Sequence, residues 1–113
     1  MVVYEFIHTT YDWLNNEYDV VGSEIFLTYK DAYTYFKCTM DNVLAEYLET
    51  TNVNTLEELD DIDYCYYAIL NDDEIEPEKD NETYWPRFYI SVDEYGSDTI
   101  LIRKKNILSF KEE

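Results

Sequence analysis

The chain has 113 residues, with 26 Asp and Glu against eight Lys and Arg, a formal charge of −18, and thirteen tyrosines. Such a balance disfavours nucleic acid and anionic lipid as direct ligands, because both repel an acidic surface. It does not exclude folding: Leu, Ile, Val and Phe make up 30 of the 113 residues, above the share of roughly 20 % below which highly charged chains stay disordered.

Val2 to Tyr11 is β-branched and aromatic and reads as a first strand. Trp13-Leu14-Asn15-Asn16-Glu17 reads as a turn, since Asn tolerates left-handed backbone. Tyr18 to Leu27 follows as the second strand of a hairpin, with Gly22 at a bulge. Thr28, with Asp31 three residues later, caps a helix predicted over Tyr29 to Glu49. Ala32, Phe36, Met40, Val43 and Tyr47 recur at the spacing of one helical face. Thr55-Leu56-Glu57-Glu58 is a second capping sequence and opens a short helical turn. Tyr64 to Leu70 reads as a strand, and Asn71 to Glu82 as a polar loop. Tyr84 to Val92 and Thr99 to Lys104 read as strands on either side of a turn at Asp93 to Asp98. The result is an α+β fold in a single domain over 1–113. A mostly antiparallel sheet of about five strands, in the order ββα-short helix-βββ, carries one long helix.

Met1-Val2-Val3-Tyr4-Glu5 lacks the basic and apolar regions of a secretory signal, and no window approaches the roughly 18 apolar residues of a membrane span. Cys38 and Cys65 are too few for a disulfide scaffold or a zinc site and read as core thiols of a cytoplasmic protein. His8 is the only histidine and falls in a predicted strand, where a structural role is expected. Two glycines cannot build a phosphate loop. Among 26 acids some pair always falls at glycosidase spacing, so that spacing carries no weight. The chain is therefore expected to be non-enzymatic, with no catalytic residues, cofactor or metal site.

Charge is unevenly placed. Residues 1–102 hold 24 of the acids and only Lys30, Lys37, Lys79 and Arg87 as cations. Asp72, Asp73, Glu74, Glu76, Glu78, Asp80 and Glu82 crowd one loop, but no Gly lies between Asn71 and Glu82, as a calcium loop of the EF-hand order requires. A second group comprises Asp41, Glu46 and Glu49 on the long helix, followed by Glu57, Glu58, Asp60, Asp61 and Asp63. Glu46 and Glu49 stand at a helix C-terminus, where cations are favoured by about 0.3–1 kcal/mol each. Tyr66 and Tyr67 alternate on a strand, so one faces away from the core; exposed Tyr among carboxylates suits an interface. These features point to a binding face made of Asp72, Asp73, Glu74, Glu76, Glu57, Glu58, Asp60 and Asp61, with Tyr66 and Tyr67 as aromatic anchors.

In length, charge and aromatic content the whole chain resembles the small acidic inhibitors encoded by phages and mobile elements: DNA mimics and anti-CRISPR or anti-restriction proteins. The resemblance is one of composition and implies no particular fold. It implies a protein partner with a basic, nucleic-acid-handling surface, on which ordered carboxylates stand in for phosphates. An immunity-type or adaptor protein that neutralises a basic toxin or effector is the alternative with the same electrostatics.

Overall fold

The computed structural model describes residues 1–12, 14–62, 65–70, 84–92 and 96–106. Seven elements follow one another: β1 (Val2–Asp12), β2 (Glu17–Phe26), α1 (Tyr29–Thr51), α2 (Leu56–Asp60), β3 (Cys65–Leu70), β4 (Tyr84–Val92) and β5 (Gly96–Asn106). The fold is α+β, and the strands form one open sheet in the order β2-β1-β5-β4-β3 with every neighbour antiparallel. Sequence distance and spatial distance part company at β5, which closes the sheet between β1 and β4.

Local chemistry accounts for the boundaries. Asp12 accepts the Leu14 amide at 2.9 Å and the Asn15 side-chain amide at 2.7 Å. The Asn15 side chain is the main reason the Asp12 carboxyl is held below its ordinary range. Asn16 takes a left-handed φ of 54° in the same turn. In the β1–β2 ladder His8 faces Gly22 while Thr9 faces Val20, so one extra residue bulges out beside Gly22, as the sequence suggests. Thr28 accepts the Asp31 amide at 3.2 Å and opens α1. Asn52, left-handed at φ 59°, closes it by returning its amide to Glu49 and Leu48.

Alternation and helical period meet in one core. Tyr4 and Phe6 of β1, Phe88, Ile90 and Val92 of β4, and Ile100 and Ile102 of β5 are buried together with the α1 stripe Ala32, Phe36, Met40, Val43 and Tyr47. Each large side chain removed from water in this way contributes about 1.5–3 kcal/mol. At the N-terminal end of α1, Tyr29 stacks on Tyr33 and Tyr33 on Phe36, while Tyr4 meets Tyr29 edge-on. Leu59, fully buried, pins the short α2 to the same core.

Two details differ from the sequence reading. Strand β5 begins at Gly96, so Ser97 and Asp98 lie in the sheet rather than in the turn, opposite Tyr11 and Thr10 of β1. Asp98 fits a central strand here because His8 and Tyr47 satisfy its carboxylate. Cys38 is an exposed thiol on the outer face of α1, whereas Cys65 packs against the core; the helical period turns position 38 away from the stripe that holds Phe36 and Met40.

The glycines separate a strained site from an ordinary one. Gly96 has φ +153°, and a β-carbon there would sit 2.6 Å from the Tyr11 carbonyl oxygen, whereas one on Gly22 would meet nothing closer than 3.9 Å. Gly96→Ala is expected to cost about 1–3 kcal/mol of stability. Gly22→Ala should change it by less than about 1 kcal/mol in either direction. Urea unfolding of the two variants beside the parent checks the contrast, and equal losses would contradict it.

Candidate functional site

Two regions gather polar side chains. The first is the outer layer formed by α1 and α2. Asp31, Asp41, Glu46 and Glu49 of α1 are exposed, as are Glu57 and Glu58 of α2 and Asp61 at its end. Neither helix has a basic residue in its last turn. The ion pairs His8–Asp98 and Lys105–Glu5 both lie in the sheet. From Asp41 to Glu49 is eight residues, about 12 Å along the axis, so the carboxylates spread over a surface of ligand-sized length.

The expected contact residues fare differently. Glu57 and Asp61 project from α2 and its C-terminal end. Glu58 is also exposed, but its Oε2 accepts the Asn54 amide at 3.0 Å while its own amide bonds Thr55 Oγ1 at 3.2 Å. Glu58 thus helps build the start of α2, reaching one residue beyond the cap. Asp60 is the last residue of α2. Asp72, Asp73, Glu74 and Glu76 lie outside the described residues. Tyr66 is exposed at 59 % and meets the Tyr89 ring at 5.8 Å on the sheet face away from α1. Tyr67, half-buried, packs against the core from the helix side. Strand alternation separates the two rings, and they do not form one aromatic face with α2.

The second region is a cleft of about 400 Å³ between the C-terminal half of α1 and the edge of β1, β2 and β5. Its lining includes a part-buried network. His8 Nε2 lies 2.6 Å from Asp98 Oδ1, and the Tyr47 hydroxyl donates to Asp98 Oδ2 at 2.7 Å. An ionised carboxylate only accepts, so His8 Nε2 carries the hydrogen toward it and Nδ1 is the remaining nitrogen of the ring. Both Asp98 oxygens are thereby held in place. Glu46, Asn42 and three threonines (Thr10, Thr39 and Thr50) also line the cleft.

Sequence reasoning placed His8 on a strand and Tyr47 on the core stripe, both correctly, yet missed their meeting at Asp98. A usable signal was present: a buried tyrosine hydroxyl on an apolar helical face needs a partner. No described group of three or more His, Cys, Asp or Glu could hold a metal ion. Among the described residues no helix is long and apolar enough to cross a membrane.

No family model, curated protein or solved structure matches the chain.

The network makes a stability prediction of its own. Tyr47→Phe keeps the ring and removes only the hydroxyl that donates to Asp98, a bond to a charged group worth about 1.5–3 kcal/mol. The urea midpoint should fall accordingly with an unchanged slope. An unshifted midpoint would mean that the hydroxyl contributes nothing to the folded state.

Proposed function

We propose that this protein is a non-enzymatic acidic inhibitor that docks its α1–α2 carboxylate layer onto a basic, nucleic-acid-handling protein in the cytoplasm, in the manner of a nucleic-acid mimic. The observation that carries the reading is the exposed run Asp41, Glu46, Glu49, Glu57 and Asp61, with no ion pair to any of its members among the described residues. The helices fix the backbone positions of these carboxylates, so association with a basic surface has only their side chains to order. Duplex DNA offers one charge per about 1.7 Å of axis, and a basic groove built for that density attracts a surface of the same sign. The acids Asp72, Asp73, Glu74 and Glu76 lie outside the described residues and add four negative charges to the chain. Tyr66 belongs to the opposite sheet face and is a second contact only for a partner that wraps the sheet. Tyr67 serves packing, which removes it as an anchor in this reading.

Glu58 requires separate treatment because it shapes α2. Charge reversal there would confuse loss of a helix start with loss of a contact, whereas Glu58→Gln keeps an acceptor for the Asn54 amide.

The test is affinity capture of the partner followed by competition. Capture should be lost as salt rises from about 0.05 to 0.5 M, because exposed charges are screened beyond a few ångströms. The captured protein should release its own DNA or RNA when this chain binds. Glu49→Lys, Glu57→Lys and Asp61→Lys together should weaken association by about 100-fold or more, chiefly through the on-rate, while leaving the fold intact. A partner that binds this triple variant as tightly as the parent removes the reading. A partner that binds tightly while keeping its nucleic acid would instead favour the immunity-type alternative.

A further inference from the structure

We propose that the cleft beside α1 is a binding site for a guanidinium group, either in a free small molecule or on an arginine side chain presented by another chain. Four properties of the cleft lead there. Its volume of about 400 Å³ falls within the roughly 300–1,000 Å³ of small-ligand sites. Its lining holds the acids Asp98 and Glu46, the first paired to His8, and no Lys or Arg. A phosphate or carboxylate ligand would meet repulsion from both.

Organisation is the third property. Asp98 is clamped by His8 on one oxygen and by Tyr47 on the other, and the Tyr47 side chain is itself buried in the core. A carboxylate has about four acceptor directions, so Asp98 retains capacity after both bonds are made. It would not have to reorganise to receive a cation. The fourth property is the supply of acceptors. Besides Asp98, the lining holds acceptor-bearing side chains at Glu46, Asn42, Thr10, Thr39 and Thr50. A lining with this many acceptors can satisfy more of the five N–H donors of a guanidinium than the three of a compact ammonium require. The guanidinium is also the more weakly hydrated ion and loses less on entering a half-enclosed site.

The site stands apart from the α1–α2 carboxylate layer except for Glu46, which borders both. If the partner inferred above supplies the arginine, the cleft becomes its anchoring pocket. If the ligand is a free guanidine compound, the cleft is a separate small-molecule site.

The experiment is a nuclear magnetic resonance titration of the whole chain at constant ionic strength. The probes are methylguanidinium chloride, methylammonium chloride and N-acetyl-arginine methylamide. Methylguanidinium should give saturable amide shifts concentrated at Thr10, Val43, Tyr47 and Asp98, with methylammonium markedly weaker. Glu46→Gln, on an exposed side chain that the fold does not need, should weaken binding about tenfold, as the loss of one charge-assisted bond does. N-acetyl-arginine methylamide binding as tightly as methylguanidinium would assign the source to a side chain, and much weaker binding would assign it to a free compound. Shifts that follow all three cations equally, spread over the outer face of α1, and survive Glu46→Gln would overturn the site. That outcome would leave the acidic-layer reading in place, since general attraction of cations is what that reading expects.

Discussion

The apolar stripe of α1 rests on β5 and β1, with β2 beside them, and this contact decides where the remaining side chains can go. Phe36, Phe88, Ile90, Ile100 and Ile102 have no exposed surface at all, and Met40, Val43 and Tyr47 complete the seam. A chain with a formal charge of −18 has few ways to enclose such a core. It places one helix across the centre of the sheet, and the acids of that helix are then obliged to face outward. Self-repulsion among them works against the compact state, so the seam must outweigh it. The carboxylate layer and the core are two sides of the same helix.

The same contact creates the cleft. Tyr47 is the last member of the stripe, and its ring belongs to the core while its hydroxyl reaches Asp98 at 2.7 Å. Asp98 in turn holds His8, which continues the Tyr4–Phe6 face of β1 one step further along the strand. At this end polar residues, Thr10 of β1 and Thr50 of α1, line the space beside the seam. A packed seam that ends in a satisfied polar network leaves an open, acid-lined space at its margin. Surface charge on the helix and part-buried charge at the end of the seam thus have different physical settings. The first is solvated and screened, whereas the second is fixed by hydrogen bonds in partly buried surroundings.

Much of this arrangement was legible in the sequence because local rules and tertiary needs agree. The period of Ala32, Phe36, Met40, Val43 and Tyr47 marked the buried face of α1, and Thr28 and Thr55 marked where the two helices begin. The order of elements and the antiparallel sheet followed from the turns between them. What could not be read was non-local. Nothing local says that β5 inserts between β1 and β4, and this insertion is what brings residue 98 beside residues 8 and 47. Asp98 and Ser97 resembled turn residues because Asp and Ser favour turns; only a partner from another strand or helix makes them strand residues. Glu58 shows the converse. It belongs to the surface charge and is also a local structural acceptor for the Asn54 amide, a role in keeping with its capping sequence.

Carboxylates of the helical layer outnumber its cations, Lys30 and Lys37 on α1 and none on α2, and repel one another. The melting temperature of the free protein as a function of salt tests this most directly, because no partner or ligand enters the measurement. Between about 0.02 and 0.5 M sodium chloride the screening length shrinks several-fold. Repulsion within the layer should fade, and the melting temperature should rise by several degrees. The charge-reversed variant Glu49→Lys/Glu57→Lys/Asp61→Lys should start higher and gain less. A melting temperature that stays flat or falls with salt would show that the charges are already paired, and would contradict the account.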